Sequence, residues 1–120
     1  MTGEPNKRQT GARKEELAAD YLKRQGVRIL EMNYRCRQGE IDLIGRDGEF
    51  LVFFEVKWRR DGRSGYAAEA VDKRKQKRIC RVSDMYRMFK GFDDDTALRY
   101  DVVAIDGDGI DWIKNAFFYC

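Results

Sequence analysis

Residues 39–58 read GEIDLIGRDGEFLVFFEVKW, and this stretch decides the fold. Two apolar runs flank Asp47-Gly48, a pair that is typical of the tight turn in a β-hairpin. The second run, from Phe50 to Trp58, is long and almost wholly apolar, as in a central strand that is covered on both faces. We therefore predict a hairpin whose second strand lies inside a sheet.

A helix is predicted before this hairpin. Residues 11–25 place Leu17, Ala18, Tyr21 and Leu22 on one face, and Gly26 follows as a C-terminal stop. Residues 27–30 can begin a short strand, and residues 32–39 are expected to form a loop or an irregular strand. Residues 1–10 are polar and contain the only proline, so we expect a flexible tail that precedes one domain at residues 11–120.

A second helix is predicted after a loop at residues 61–66, from about Ala67 to Lys90. Its apolar line runs through these residues: Val71, Ile79, Val82, Tyr86 and Phe89. Strands are expected at residues 99–105 and 110–113, followed by an apolar tail. The order of elements predicts an α/β protein with a mixed central sheet flanked by helices.

Composition narrows the possible chemistry. A chain of 120 residues is expected to build one hydrophobic core. We find neither an apolar run of about 18 residues nor a signal-peptide pattern, so we expect a cytoplasmic protein without a membrane segment. Histidine is absent, and the three widely spaced cysteines are read as reduced thiols. Catalysis would therefore depend on carboxylates, lysine and a hard metal ion.

Positive charge is concentrated in residues 59–81. This segment holds nine basic and three acidic residues, a net charge of +6 in a chain whose net charge is +3. A positive stripe of this kind suits phosphate binding, although a solvated helix face is an equally open interpretation. The candidate phosphate-binding residues are Arg59, Arg60, Arg63, Lys73, Arg74, Lys77 and Arg78.

Three charged residues of the hairpin are predicted to meet. Strand side chains alternate, so Glu55 and Lys57 lie on one face of their strand, with Phe54, Val56 and Trp58 on the other. Asp42 lies on the partner strand. Buried charges are costly unless they are paired or bind a metal. From the strand pattern alone, a structural ion pair and a catalytic site remain equal alternatives.

The motifs at these positions resemble a known signature. Asp42 followed by Glu55-Val56-Lys57 resembles the PD-(D/E)xK signature of restriction-endonuclease-like enzymes, with Gly39 in the place of its proline. The blocks GEIDLI, FFEVKWR, KRKQKRI and RYDVVAIDG are together similar to the YraN-like family of uncharacterised proteins, uncharacterised protein family 0102. This resemblance covers residues 11–117 and implies a restriction-endonuclease-like core.

The resemblance also implies roles for these residues. Asp42 and Glu55 would bind a divalent metal, Mg²⁺ or Mn²⁺, with the Val56 carbonyl as a further ligand. Lys57 would orient or deprotonate the attacking water. Glu15 would complete the metal site, and Lys75 would reach the scissile phosphate. From helical periodicity alone, both side chains could equally extend to solvent. Arg99 and Asp101 match the family pattern too and are expected to be structural.

The leading functional hypothesis is a metal-dependent endonuclease that acts on DNA. Small enzymes of this fold include junction resolvases that work as dimers, so branched substrates and a homodimer follow by analogy with the fold. Two alternatives remain open. One is a nucleic-acid-binding module that keeps the fold without cleaving, and the other is a scaffold in which the charged residues form a structural ion pair.

Overall fold

Two helices cover opposite faces of a five-stranded sheet in the computed structural model, which describes residues 7–59, 71–107 and 109–120. The elements in chain order are α1 (Lys7–Arg24), β1 (Arg28–Cys36), β2 (Gly39–Asp47), β3 (Phe50–Arg59), α2 (Lys73–Lys90), β4 (Leu98–Asp106) and β5 (Gly109–Phe117). The predicted α/β class with a mixed sheet flanked by helices is confirmed, and this architecture is consistent with a restriction-endonuclease-like core.

The sheet follows the chain order from β1 to β5. Strands β3 and β4 are parallel, and the other neighbouring pairs are antiparallel. The segment that contains α2 therefore connects the two parallel strands. Strand β3 is central, as predicted, and its side chains at Leu51, Val52, Phe53, Phe54 and Val56 are at most 1% exposed.

The β2–β3 hairpin is confirmed with a small shift in its turn. Asp47 pairs with Phe50, which leaves Gly48 and Glu49 as a two-residue turn. Gly48 has a φ of 60°, a left-handed conformation that glycine adopts without steric strain. The turn thus lies one residue later than the sequence indicated, and the pairing of the two strands is the one expected.

Each helix packs on its own apolar cluster. On the α1 side, Ala18, Ala19 and Leu22 meet side chains of the sheet that include Phe54 and Val56. On the α2 side, a second cluster joins these residues: Ile79, Val82, Tyr86, Phe53 and Tyr100. Because β3 contributes alternate residues to the two clusters, charged residues in its second half must point towards one helix or the other.

Both helices start at positions different from those predicted. Helix α1 begins at Lys7, so residues 7–10 of the predicted tail are helical, while residues 1–6 lie outside the described residues. Lys7, Arg8 and Gln9 are good helix formers, which explains the extension. Leu17 was expected on the buried face but is 39% exposed.

Helix α2 begins at Lys73 rather than near Ala67, which lies outside the described residues. Asp72 caps the helix in an extended conformation, and its carboxylate accepts a hydrogen bond from the Lys75 N–H at 2.8 Å. Val71 therefore packs in the core from a position before the helix. Phe89, expected on the apolar line, is 79% exposed and does not belong to the cluster that α2 covers.

The outer strands are longer than predicted. Strand β1 continues to Cys36, with a bulge between Ile29 and Glu31 and a φ of 53° at Asn33, so the irregular-strand alternative was correct. Strand β5 continues to Phe117, which pairs with Tyr100. Within the part of the chain that the structure describes, neither helix combines the length and apolarity that crossing a bilayer requires.

Candidate active site

Asp42 lies where the β2–β3 ladder ends. The paired positions run from Asp47 and Phe50 to Leu43 and Phe54. One step beyond, the Asp42 Oδ2 atom accepts a hydrogen bond from the Val56 N–H at 2.8 Å. A side-chain oxygen thus replaces the backbone acceptor of a continued ladder, and this bond holds the Asp42 carboxylate beside Glu55.

Glu55 and Lys57 share the face of β3 that is turned towards α2, as the strand alternation predicted. The Glu55 side chain is only 8% exposed. Its Oε1 atom lies 2.5 Å from the Lys75 Nζ atom and 3.7 Å from the Lys57 Nζ atom. A nearly buried carboxylate therefore has two ammonium partners, one from its own strand and one from the neighbouring helix.

The start of α2 brings Lys75 to this carboxylate. Lys75 lies in the first turn, four residues before Ile79 on the same side of the helix, and Ile79 is buried in the core. The hydrogen bond from its N–H to the Asp72 cap fixes that turn. Lys75 consequently extends inward to Glu55, and this contact explains why a lysine occupies a position on an apolar line.

Helix α1 contributes two further charged groups. The Lys14 Nζ atom donates a hydrogen bond to the Val56 carbonyl oxygen at 3.2 Å. The adjacent Glu15 carboxyl group lies close enough to Asp42 for the two acids to influence each other's pKa. Both peptide groups of Val56 are thus held by the site, the N–H by Asp42 and the carbonyl by Lys14.

The acids of the site hold their protons more tightly than usual. Burial, followed by the negative charge of Glu55, raises the pKa of Asp42 to about 7 from its ordinary 3.8, although the Val56 N–H opposes the shift. Burial also raises the pKa of Glu15, against the hydrogen bond to Asp42 and the charge of Lys14. Crowded carboxylates of this kind gain from an added cation, which offsets their mutual repulsion.

The two lysines beside Glu55 shift in opposite directions. Burial, together with the neighbouring Lys75, lowers the pKa of Lys57 below its ordinary 10.5. Burial opposes the charged form of Lys75 too, but the hydrogen bond and charge of Glu55 outweigh it and raise its pKa. Lys75 therefore remains a cation, whereas Lys57 is the more easily deprotonated amine.

An open cleft of about 580 Å³ adjoins these groups. It is lined by Lys14, Arg35, Cys36, Gly39, Glu40, Asp42, Glu55, Lys75, Arg78 and Ile79. At its edge the aliphatic stem of Arg78 crosses Gly39 so closely that a Cβ atom there would lie 2.8 Å from Arg78 Cδ. The contact with Arg78 is a local reason for the smallest residue at position 39.

The residues predicted for catalysis converge, whereas the predicted phosphate-binding residues do so only in part. Glu15, Asp42, Glu55, Lys57 and Lys75 form one connected cluster. Lys73, Arg74, Lys77 and Arg78 are exposed along the start of α2, and Arg78 also lines the cleft. The Arg59 side chain, Arg60 and Arg63 lie outside the described residues.

Sequence reasoning missed Lys14 and Arg35. Lys14 precedes Ala18 and Leu22 at intervals of four residues, so it lies on the line of α1 that is otherwise buried. That departure from an apolar pattern is the signal that identified Lys75, and it could have identified Lys14. Arg35 gave no comparable signal, because it lies on an irregular strand and pairs with the exposed Glu40 at 3.0 Å.

The donor atoms present fit a hard divalent ion. Asp42, Glu55 and the Val56 carbonyl offer oxygen donors beside one another, and burial with mutual repulsion keeps Asp42 partly protonated near neutral pH. In residues 7–59, 71–107 and 109–120, no cluster of three or more Asp, Glu or Cys residues is arranged to hold a metal. A metal would therefore depend on the carboxylate pair and the backbone carbonyl.

Arg99 and Asp101 form a separate buried network. Asp101 is fully buried and accepts hydrogen bonds from Arg99 Nε at 3.0 Å, Trp112 Nε1 at 2.8 Å and the Asn115 N–H at 2.8 Å. Arg99 also reaches Asp47 at 2.6 Å, at the turn of the hairpin. This network connects β2, β4 and β5. Its residues do not line the cleft, which agrees with the structural role expected for Arg99 and Asp101.

The fold and the site together define an α/β protein in which carboxylates and lysines meet at the end of a hairpin, under the first turn of a helix. Comparison with known proteins identifies its family. The model of "Uncharacterised protein family UPF0102" matches residues 14–105, and the chain belongs to this family.

Similar chains are found in several bacteria. A UPF0102 protein of Lachnoclostridium phytofermentans is 44% identical over 112 residues, which cover 93% of this chain and 95% of the relative. A UPF0102 protein of Syntrophus aciditrophicus is 49% identical over 112 residues, 90% of this chain and 87% of the relative. A UPF0102 protein of Vibrio cholerae is 42% identical over 114 residues, 92% and 93% of the two chains.

Proposed function

We propose that this protein is a metal-dependent endonuclease that hydrolyses phosphodiester bonds in DNA. The observation that carries the proposal is a pair of carboxylates, the half-buried Asp42 and the buried Glu55, beside two lysines whose pKa values shift in opposite directions. A purely structural ion pair needs one partner for Glu55. The second amine, with its lowered pKa, is the feature that hydrolysis would use.

In this reaction each residue of the site would have a separate role. The uncharged amine of Lys57 accepts a proton from water, and the water oxygen attacks the phosphorus. The bond from phosphorus to the leaving oxygen then breaks, and that oxygen takes a proton from solvent. The Lys75 ammonium neutralises charge on the phosphate throughout. Mg²⁺ or Mn²⁺ held by Asp42, Glu55 and the Val56 carbonyl would supply Lewis-acid stabilisation of the developing charge.

The exposed basic residues at the start of α2 support a nucleic-acid substrate. Lys73, Arg74, Lys77 and Arg78 are exposed at the helix end whose peptide dipoles are positive, and Arg78 also lines the cleft. Like charges there weaken the isolated helix, so an approaching phosphate backbone would relieve repulsion as well as form ion pairs. The expected homodimer and cytoplasmic location remain predictions.

A second candidate function is a non-catalytic nucleic-acid-binding module. The short ion pair between Lys75 and Glu55 favours it, since the carboxylate is already neutralised by the protein itself. In that case the basic surface binds nucleic acid and the buried charges only stabilise the fold. The two functions predict the same affinity for DNA but different chemistry.

A substrate panel separates these functions. Labelled four-way, flap, duplex and single-stranded DNA are incubated with wild type in Mg²⁺, Mn²⁺ or chelator, alongside Glu55→Gln. A nuclease produces metal-dependent products with wild type and none with Glu55→Gln. If wild type cuts no substrate in either metal yet binds the DNA, the binding module replaces the nuclease.

A further inference from the structure

Lys14 occupies a position that no proposed step uses. It lies on α1, and two strands, β1 and β2, separate this helix along the chain from the strand that carries Glu55 and Lys57. Its Nζ atom is 3.2 Å from the Val56 carbonyl oxygen, the backbone oxygen that stands between the two charged residues of β3. The side chain is partly buried, and the same residue lines the cleft.

The charge of Lys14 acts on the acids of the site. Lys14 lines the same cleft as Asp42 and Glu55, and its ammonium binds the backbone oxygen of the residue that follows Glu55. An ammonium group at this place does part of what a bound cation would do. It neutralises carboxylates and it binds a carbonyl oxygen.

We propose that Lys14 is a resident cation that competes with the divalent ion for the Val56 carbonyl oxygen and for the negative charge of the carboxylates. A metal that binds Asp42, Glu55 and this carbonyl comes next to the Lys14 ammonium, and the repulsion between the two cations opposes metal binding. The ammonium thereby sets how tightly the site takes metal, and it keeps the carboxylates neutralised when metal is scarce. Lys14 is thus a positioning residue, and this inference rests on the proposed metal-dependent function.

Competition of this kind is an unfavourable coupling between two cations at one site. Couplings between ligands typically change affinity by about 5- to 150-fold. Removing the charge of Lys14 should therefore tighten metal binding, although the same substitution removes a hydrogen bond and would slightly loosen the fold. A residue with a purely structural role would give the opposite result, because a loosened site binds metal less well.

Calorimetric titration with Mn²⁺ tests the proposal on the full chain without nucleic acid. We expect Lys14→Met to bind Mn²⁺ at least about fivefold more tightly than wild type. Lys23→Met is the matched control, since Lys23 is an exposed lysine about two and a half turns further along α1, on the opposite side of the helix. Lys23→Met should leave the affinity within about twofold of wild type, since exposed charges are strongly screened.

Lys14→Gln keeps the proposal testable if Lys14→Met does not fold, since glutamine retains a hydrogen-bond donor without the charge. Unchanged or weaker Mn²⁺ binding in a folded Lys14 variant overturns the proposal. If wild type binds Mn²⁺ and Asp42→Asn does not, while Lys14→Gln binds like wild type, only the Lys14 inference fails. If Mn²⁺ binds to none of the folded variants, the metal site and the Lys14 inference fail together.

Discussion

Replacing Asp42 by asparagine should make the protein more stable at alkaline pH in the absence of metal. In the folded protein the pKa of Asp42 is about 7, against an ordinary 3.8. Between these values the folded chain binds more protons than the unfolded chain, so the free energy of unfolding falls as pH rises, and above pH 7 the loss is complete. The full shift corresponds to about 4 kcal/mol.

Asparagine removes the ionisation and keeps an oxygen to accept the Val56 N–H. The Lys14 and Lys75 ammonium groups lose a nearby negative charge, so we expect a net gain of about 2 kcal/mol at pH 8, roughly half of the full shift. For a chain of 120 residues this raises Tm by about 8 °C. Near pH 4 the two proteins should differ little in Tm, because folded Asp42 is then uncharged and only roughly half of the unfolded acid is ionised.

Thermal unfolding in chelator at pH 4 and pH 8 measures this difference. Asp101→Asn is the control, because Asp101 is also an aspartate on a strand of the sheet but is fully buried and accepts hydrogen bonds from Arg99, Trp112 and Asn115. That change should destabilise the fold by about 3–5 kcal/mol at pH 8. A Tm for Asp42→Asn below that of wild type at pH 8 would refute the reasoning. An equal rise at both pH values would also refute it.

The other variants test the roles of single residues. The rate of wild-type cleavage should rise with pH as Lys57 loses its proton, with a midpoint below the ordinary 10.5, and a pH–rate profile that is flat or falls would contradict this role. Arg74→Ala should weaken binding to all DNA sequences alike and reduce the salt slope by about one unit, measured by anisotropy titrations; a sequence-selective loss would argue against a phosphate contact. Gly39→Ala should lower stability by about 1–3 kcal/mol, because it places a side chain at a φ of 144°. It should also lower DNA affinity by displacing Arg78, whereas Gly48→Ala, at a φ of 60° with open space around it, should affect stability alone.

Much of the fold could be predicted because its signals are local. The apolar run of β3 and the Asp47-Gly48 turn gave the hairpin, and the alternation along β3 gave the shared face of Glu55 and Lys57. The helix starts were harder to predict. The α2 start depends on a single capping contact at Asp72, whereas apolar periodicity extends smoothly through Val71.

The candidate site was predicted only where charge interrupts an apolar pattern. Lys75 interrupts the line of α2 and Glu55 interrupts β3, so both were identified from the sequence. The contact between Lys14 and the Val56 carbonyl spans 42 positions along the chain and involves a backbone atom that carries no sequence signal. The place of Arg35 in the cleft and the crossing of Gly39 by Arg78 likewise depend on how β1 and β2 meet α2, which periodicity within a single element does not determine.

The central claim is that Lys57 acts on water during hydrolysis. Single-turnover cleavage of a labelled DNA substrate in Mn²⁺, with affinity measured in parallel, tests it most directly. We expect Lys57→Ala to slow cleavage by about two to four orders of magnitude while DNA affinity stays nearly unchanged. The exposed Lys73→Ala serves as control and should alter affinity rather than the bound rate. Cleavage by Lys57→Ala at the wild-type rate would contradict the claim. The claim would also fail if wild type cleaved no substrate and Lys57→Ala only lowered thermal stability.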